Sequence, residues 1–207
     1  MSATFNPIPF DQKKRIRILQ LFGVIAIASL LFSKPVWVDD QPVREILEFT
    51  GYLLVFICVF GRLWSILYVG NRKNTALVTT GPYSITRNPL YVFSTLGVIG
   101  IGLAYGSLMV AIILGGVSYF VFMLTAQKES EFLKNKFQDQ YRAYAAATPM
   151  FWPDFRAYKD GGETTFSPRA LFKTFLDVLI FVLALPVIEG LEFMHESEQV
   201  PILMSLY

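Results

Sequence analysis

Long apolar stretches alternate with polar connectors along this chain. Five apolar segments stand out, at about residues 17–33, 46–69, 89–104, 107–126 and 170–188. A helix needs about 20 mostly apolar residues to cross a bilayer core about 30 Å thick. Lipid cannot satisfy backbone polar groups, so spanning segments must be helices or a closed barrel. Because the segments are too long and continuously apolar for barrel strands, the pattern predicts an all-α, multi-pass membrane bundle of about five transmembrane helices.

The third and fourth segments are separated only by residues 104–106. Such a short connector makes the two helices run antiparallel as a tight hairpin. Small residues let helix backbones approach closely, so the glycines of these segments predict close packing within the hairpin. These glycines are Gly97, Gly100, Gly115 and Gly116.

Basic residues concentrate on one predicted side of the membrane. Lys and Arg are enriched in cytoplasmic loops. With the N-terminus inside, all 18 Lys and Arg except Lys34 and Arg44 fall in cytoplasmic regions or, for Arg62, in the inner half of the second span. Residues 189–207 carry Glu but no Lys or Arg. We therefore expect an integral membrane protein with a cytoplasmic N-terminus and active site, and its C-terminus on the opposite side.

Composition supports a membrane domain and narrows the chemistry. Charged residues make up 16% of the 207 residues, against roughly 25% in soluble domains, so residues 1–207 are interpreted as a single membrane domain. The basic N-terminal residues also resemble a signal peptide, but the apolar run after them continues too far, which favours a retained first span. The single cysteine, Cys58, excludes an internal disulfide and a cysteine-based metal site. The expected surroundings are the lipid bilayer, with no nucleic acid and no metal as partner.

Two polar segments on the predicted cytoplasmic side, at roughly 70–88 and 127–169, are the places where chemistry is expected. In the first, Asn88-Pro89 is typical of a helix start, with Asn as the cap and Pro at the first helical position. The free amides of that helix end, with Arg87 beside them, predict a site for a carboxylate or similar anion. The alternative is that Asn88 only caps the helix and Arg87 only reaches toward lipid phosphates.

The second segment predicts an amphipathic helix that continues from the fourth span and lies on the membrane surface or folds back over the bundle. Glu129, Leu133 and Phe137 share one face of it, whereas Glu131 points elsewhere. A carboxylate on an apolar, inward face needs a partner, such as a ribose hydroxyl pair or an ammonium group. The alternative is a simple ion pair between Glu129 and a nearby lysine. Pro149 and Pro153 are expected to end this helix.

Taken in order, these residues resemble the family of isoprenylcysteine carboxyl methyltransferases and phospholipid methyltransferases, which are membrane-embedded and depend on S-adenosylmethionine. The resemblance covers roughly residues 50–153, interpreted as the methyltransferase core, and leaves 154–207 as a linker plus an extra C-terminal transmembrane helix. The matching residues are Leu77-Val78, Gly81-Pro82-Tyr83, Arg87-Asn88-Pro89-Leu90-Tyr91, Glu129, Leu133, Phe137, Tyr141, Tyr144 and Pro149.

The resemblance implies which residues bind the cofactor. It assigns four parts of the chain to cofactor binding: the backbone around the Leu-Val pair, the turn tyrosine, the segment that opens the third span, and the acidic residue after the hairpin. In this chain these are Thr75, Ala76, Leu77, Val78, Tyr83, Asn88, Pro89, Leu90, Tyr91 and Glu129. Arg87 is expected to act as electrostatic support and Glu129 as the cofactor anchor; these two are the candidate catalytic residues.

Three positions depart from the family pattern. The usual His is Asn88, which can form hydrogen bonds but cannot act as a base. The usual Gly after Phe137 is Gln138, which argues against a tight turn there. Carboxyl methyltransferases also have an Arg one helical turn before the acidic residue, and here that position is Thr125. A prenylcysteine-type carboxylate is therefore less expected as the acceptor.

The resulting hypothesis is an integral membrane methyltransferase that transfers a methyl group from S-adenosylmethionine to a lipid-like or membrane-partitioned acceptor, at a carboxylate, amine or hydroxyl. Such a transfer mainly requires alignment and exclusion of water. If the nucleophile carries a proton, Glu129 or Tyr83 is the candidate base. Two alternatives remain open: an NADPH-dependent membrane reductase, and a non-enzymatic membrane scaffold.

Overall fold

The computed structural model describes residues 33–35, 41–70, 75–197 and 204–206, and most of these residues are helical. Two three-residue strands pair in parallel, with Ser33 opposite Met204. The elements in chain order are β1 Ser33–Pro35, α1 Gln41–Val69, α2 Pro82–Ile85, α3 Pro89–Ala104, α4 Leu108–Ala147, a 3-10 turn Phe155–Ala157, α5 Pro168–Glu196 and β2 Met204–Leu206.

Three of the described helices are long and apolar enough to cross a membrane, over Pro42–Val69, Leu108–Ala147 and Pro168–His195. Helix α3 begins and ends where the sequence predicts, but its 16 residues span only about 24 Å, short of a bilayer core of about 30 Å. The first predicted span, 17–33, lies almost wholly outside the described residues. The prediction of an α-helical membrane bundle is confirmed, and the count of five spans stays a prediction.

The outer surface of the bundle is apolar. Phe60 of α1, Ile112 of α4 and Ile180 of α5 are each about two-thirds or more exposed. A contiguous apolar exterior of this kind is typical of a surface that faces lipid. Inside the bundle, α3 packs against α1, α4 and α5. The shortest apolar helix is therefore the central one, and it is surrounded by all three long helices.

The predicted hairpin of α3 and α4 is confirmed, with a turn at residues 105–107. The prediction about its glycines is only partly right. A Cβ at Gly97 would lie 2.6 Å from the Cys58 sulfur of α1, and one at Gly100 would lie 2.7 Å from the Gly51 carbonyl oxygen of α1. Gly115 does face its hairpin partner, whereas Gly116 meets nothing within 4 Å. Gly97 and Gly100 thus allow α3 to pack closely against α1, and not mainly against its hairpin partner α4, because α3 lies at the centre of the bundle.

The end of the bundle opposite the polar segments is joined by a cluster of charged and polar residues. Arg44 of α1 binds Glu48 at 2.5 Å and Glu192 of α5 at 2.6 Å. The Tyr52 hydroxyl donates to Glu189 at 2.6 Å. These contacts explain why α5 continues past residue 188, where the apolar pattern alone ends its span.

Candidate functional site

The two polar segments dock against each other. Residues 149–159 run beside residues 81–88 and exchange hydrogen bonds with them along most of that length. Four of these bonds connect Arg87 N to Pro149 O (2.9 Å), Thr86 Oγ1 to Phe151 O (2.8 Å), Asp154 N to Ile85 O (2.8 Å) and Gly81 N to Lys159 O (2.8 Å). Segment 149–159 therefore holds the entrance to α3 in place, a role that its sequence did not reveal.

Glu129 and Tyr91 meet directly. The Tyr91 hydroxyl of α3 donates to Glu129 Oε1 of α4 at 2.9 Å. The Tyr91 ring stacks on Phe122, with centroids 5.1 Å apart, which fixes the direction of the hydroxyl. Glu129 is half-buried whereas Glu131 is exposed, so the predicted inward face is confirmed. The partner seen for Glu129 is a phenol of the neighbouring helix, and the lysine ion pair is not among the salt bridges of the described residues.

Arg87 connects the entrance of α3 to the far part of α4. Its Nη1 donates to the Tyr141 hydroxyl at 3.3 Å, and that hydroxyl donates to Ser130 Oγ at 2.7 Å. The Arg87 Nε is buried and has no hydrogen-bond partner. A buried donor of this kind is costly unless something accepts from it, so this nitrogen is available to an anionic ligand.

The reach from Tyr141 to Ser130 shows that α4 folds back. Residues 11 apart in a straight helix are separated by about 16 Å, yet these side chains are hydrogen-bonded. The change of direction is at Gln138, which has φ 44° and ψ −115°. The tight turn against which the glutamine argued is therefore present. Tertiary contacts of Tyr141 and Tyr144 hold the strained backbone, which a residue other than glycine adopts only at a cost.

Tyr83 lies within electrostatic range of this site. Its backbone carbonyl accepts a hydrogen bond from the Tyr144 hydroxyl at 2.7 Å. Burial raises the pKa of the Tyr83 phenol well above its ordinary value, and Tyr144 and the nearby Glu129 carboxylate add to the shift. A phenol that remains neutral is a poor base, so of the two candidate bases Glu129 is favoured.

Asn88 occupies the predicted cap position but does not cap with its side chain. Helix α3 begins at Pro89 as predicted, and Asn88 makes no side-chain cap bond. Its amide nitrogen instead donates to the Met150 carbonyl at 2.9 Å. The side chain goes to segment 149–159 because that segment presents an acceptor close to the helix entrance. That part of the helix-start prediction is wrong.

The other predicted cofactor residues differ in their burial. Val78 and Pro89 are buried, Leu77 and Leu90 are half-buried, and Thr75 and Ala76 are exposed. No hydrogen bond in the described part of the chain joins Ala76, Leu77 or Val78 to Glu129. The structure thus brings Tyr91 and Glu129 into contact, with Tyr83 within electrostatic range of Glu129.

A cavity of about 290 Å³ lies beside these groups. Its lining includes Thr79, Ser84, Gln140, Tyr144 and Lys159, and none of the predicted cofactor residues. Its volume is at the lower limit of small-molecule pockets, roughly 300 Å³. This cavity is therefore distinct from the place where Tyr91 contacts Glu129.

Arg62 lies close to these groups, in a position that the sequence did not explain. It lies in the inner half of α1, and its Nη1 donates to Ser94 Oγ of α3. Its Nε is buried without a partner. The available signal was a single charge within a long apolar run, which by default indicates a functional position. Tertiary structure was needed to place it beside the first turns of α3.

These features define an α-helical membrane protein with a carboxylate, several tyrosines and two arginines gathered around the entrance of its central helix. The phospholipid methyltransferase family model matches residues 47–140. The chain is 32% identical over 188 residues to the cobalt-zinc-cadmium resistance protein CzcN of Cupriavidus metallidurans, covering 91% of this chain and 86% of that protein. It is 29% identical over 207 residues to the nickel-cobalt-cadmium resistance protein NccN of Alcaligenes xylosoxydans xylosoxydans, covering 99% and 96%. No solved structure matches the chain.

The chain belongs to the phospholipid methyltransferase family, and the family resemblance inferred from its motifs is confirmed. The matched region contains α3, the hairpin and Glu129. Within the described residues, no group of three or more His, Cys, Asp or Glu side chains is placed to hold a metal ion.

Proposed function

We propose that this protein is a membrane methyltransferase that uses S-adenosylmethionine and methylates a lipid-like or membrane-partitioned acceptor. The observation that carries the proposal is the hydrogen bond from Tyr91 to Glu129 at 2.9 Å. It orients a half-buried carboxylate at the entrance of α3, where a cofactor with hydroxyl and ammonium groups can be anchored. Family membership supports methyl transfer in preference to the reductase and scaffold alternatives.

The residues present fit the cofactor's chemistry. Glu129 has one carboxylate oxygen bound by Tyr91, and its other oxygen suits a ribose hydroxyl or an ammonium group. The Arg87 Nε is buried and unpartnered, which suits a carboxylate. The other residues proposed to bind the cofactor are those that the family resemblance implies: Thr75, Ala76, Leu77, Val78, Tyr83, Asn88, Pro89 and Leu90.

Bound S-adenosylmethionine would supply an electrophilic methyl group, which the acceptor's lone pair takes as the carbon–sulfur bond breaks and the sulfonium becomes a neutral thioether. The protein has to align the two reactants and keep water out. Arg87 provides positive charge near the α3 entrance, and Tyr91 holds the Glu129 carboxylate in one direction. Where the acceptor is an amine or hydroxyl, Glu129 is the group proposed to receive its proton.

The acceptor is proposed to enter from the bilayer. We also propose the five-span topology, with the N-terminus and active site in the cytoplasm and the C-terminus on the opposite side. In this proposal residues 50–153 form the methyltransferase core, and residues 154–207 form a linker and an additional helix. The names of the two relatives refer to metal resistance. We propose that methylation of a membrane component, with no metal held by the protein itself, contributes to such resistance.

Cofactor binding can be tested on the purified protein in detergent. A ligand that binds only the folded state stabilises it by about 2.7 kcal/mol at 100 times its Kd, or about 5–10 °C in Tm for a chain of this size. S-adenosylhomocysteine should produce such a shift, and NADPH should not. The Glu129→Gln variant should need at least about tenfold more S-adenosylhomocysteine for the same shift.

The matched control is Glu131→Gln, which removes an exposed carboxylate from the same helix two residues away. It should respond to S-adenosylhomocysteine as the wild type does. Stabilisation by NADPH alone would favour the reductase, and no response to either ligand would favour the scaffold. An undiminished response in Glu129→Gln would refute the placement of the cofactor.

A further inference from the structure

Arg62 lies within α1, about two turns before the end of that helix that is nearest the polar segments. It is seven residues before the end of the helix at Val69, which is about 10 Å along the axis. Helical side chains lean toward the N-terminus of their helix. The guanidinium of Arg62 therefore leans away from the nearer end of α1, and the direction of the side chain opposes snorkelling to that surface.

The charge of Arg62 has no ion-pair partner within the described chain. Its Nη1 donates to the neutral Ser94 hydroxyl, and its Nε is buried without an acceptor. Asp177 of α5 is close enough to act on it electrostatically, but the two form no salt bridge. Arg62 is half-buried, and holding a charge partly out of water without a hydrogen-bonded counterion is costly. An anionic ligand would remove that cost.

Arg62 also belongs to the neighbourhood of the methyl-transfer site. Tyr91 and Tyr83 are both within electrostatic range of its guanidinium, and Tyr91 is the residue that binds Glu129. On α3, Ser94 lies three residues after Tyr91, so the two residues are neighbours on the helix surface. The first turns of α3 therefore contact the Glu129 carboxylate of α4 through Tyr91 and the Arg62 guanidinium of α1 through Ser94.

The position one helical turn before Glu129 on α4 is uncharged. Thr125 occupies that position, is buried, and donates its hydroxyl to the Val121 carbonyl of its own helix at 2.8 Å. It offers no charge to an acceptor. Arg62 is a cation near the same end of α3, supplied by a different helix.

We propose that Arg62, held by Ser94, binds an anionic group of the acceptor, a carboxylate or a phosphate on an apolar chain, and so positions the acceptor at the inner membrane end of α3. This inference rests on the proposed function and specifies its substrate class. The apolar part of such an acceptor would lie among the lipid-facing helices, and its anionic head would meet the Arg62 guanidinium, whose Nε has no acceptor.

The test uses single-chain amphiphiles that differ only in the head group. Palmitate, hexadecyl phosphate, hexadecylamine and hexadecanol are added to the detergent-purified protein at equal mole fraction in the micelle, and Tm is followed. An anionic probe should raise Tm, whereas hexadecanol and hexadecylamine should not. A response to palmitate alone assigns a carboxylate, and a response to hexadecyl phosphate alone assigns a phosphate.

Three variants separate the guanidinium from general charge attraction. Arg62→Gln should weaken the anionic response at least about tenfold in apparent Kd, and Arg62→Lys should keep part of it. The control Arg142→Gln removes an exposed arginine that pairs with Asp139 and should respond as the wild type does. Size-exclusion chromatography and the unliganded Tm verify that each variant is folded.

Two results would overturn the proposal: anionic probes that stabilise no more than hexadecanol, or an anionic response that persists unchanged in Arg62→Gln. If Arg62→Gln does not fold, Arg62→Lys decides the question, and an undiminished anionic response in that variant overturns the proposal. S-adenosylhomocysteine is measured in parallel. An Arg62-dependent anionic response without any S-adenosylhomocysteine response would reject the methyltransferase proposal and leave the anion site standing, and the reverse pattern would reject the anion site alone.

Discussion

Replacing Tyr91 by phenylalanine removes one hydroxyl from the proposed cofactor site and keeps the ring. The hydroxyl donates to Glu129 at 2.9 Å, and the ring stacks on Phe122 at 5.1 Å. Phenylalanine preserves the stacking, so the change isolates the hydrogen bond. If Glu129 anchors the cofactor, losing the group that orients it should weaken binding while leaving the packing of α3 against α4 intact.

The expected size follows from the type of bond. A hydrogen bond to a charged group contributes about 1.5–3 kcal/mol, and about 1.4 kcal/mol corresponds to a factor of ten in affinity. The lower value predicts that Kd for S-adenosylhomocysteine rises about tenfold in Tyr91→Phe. Isothermal titration calorimetry on the detergent-solubilised protein measures this change directly.

The control is Tyr119→Phe, at a tyrosine of α4 whose ring packs on Phe151 and Trp152. This variant should bind S-adenosylhomocysteine as the wild type does. An unchanged Kd in Tyr91→Phe would show that the bond to Glu129 does not organise the cofactor site. An equal loss in both variants would attribute the effect to general destabilisation of the bundle.

Three further changes test the structure itself. Gln138→Gly should raise the free energy of unfolding by roughly 1 kcal/mol, because glycine adopts positive φ without strain; a lower Tm would contradict the turn. Gly51→Ala should cost about 1–3 kcal/mol by overpacking, since its Cβ would collide with the Ala104 backbone nitrogen, whereas Gly116→Ala should be tolerated. Because the folded pKa of Tyr83 is raised, its neutral form contributes stability that is fully present below about pH 10 and is lost as the pH rises beyond it. The alkaline fall in Tm should therefore be shallower in Tyr83→Phe, and identical profiles would refute the burial argument.

The site was predictable wherever one stretch of chain carried the information. The start of α3 at Pro89 follows from a local Asn-Pro signal, and the inward face of Glu129 follows from its spacing to Leu133 and Phe137. The contact between Glu129 and Tyr91 was not readable from spacing, because it joins residues 38 apart. The resemblance assigned both residues to the cofactor without saying that one binds the other.

What the sequence determined by itself is the α-helical membrane bundle, the tight hairpin and the face of α4 that looks inward. These depend on hydrophobic periodicity and short connectors, which act within a few residues. Tertiary structure alone decided the turn at Gln138, the docking of residues 149–159 on the α3 entrance, and the pairing of Arg62 with Ser94. Glutamine has no intrinsic preference for positive φ, and a lone arginine in an apolar run does not name its partner. Both outcomes are set by contacts between distant parts of the chain, which exist only once the helices have packed around α3.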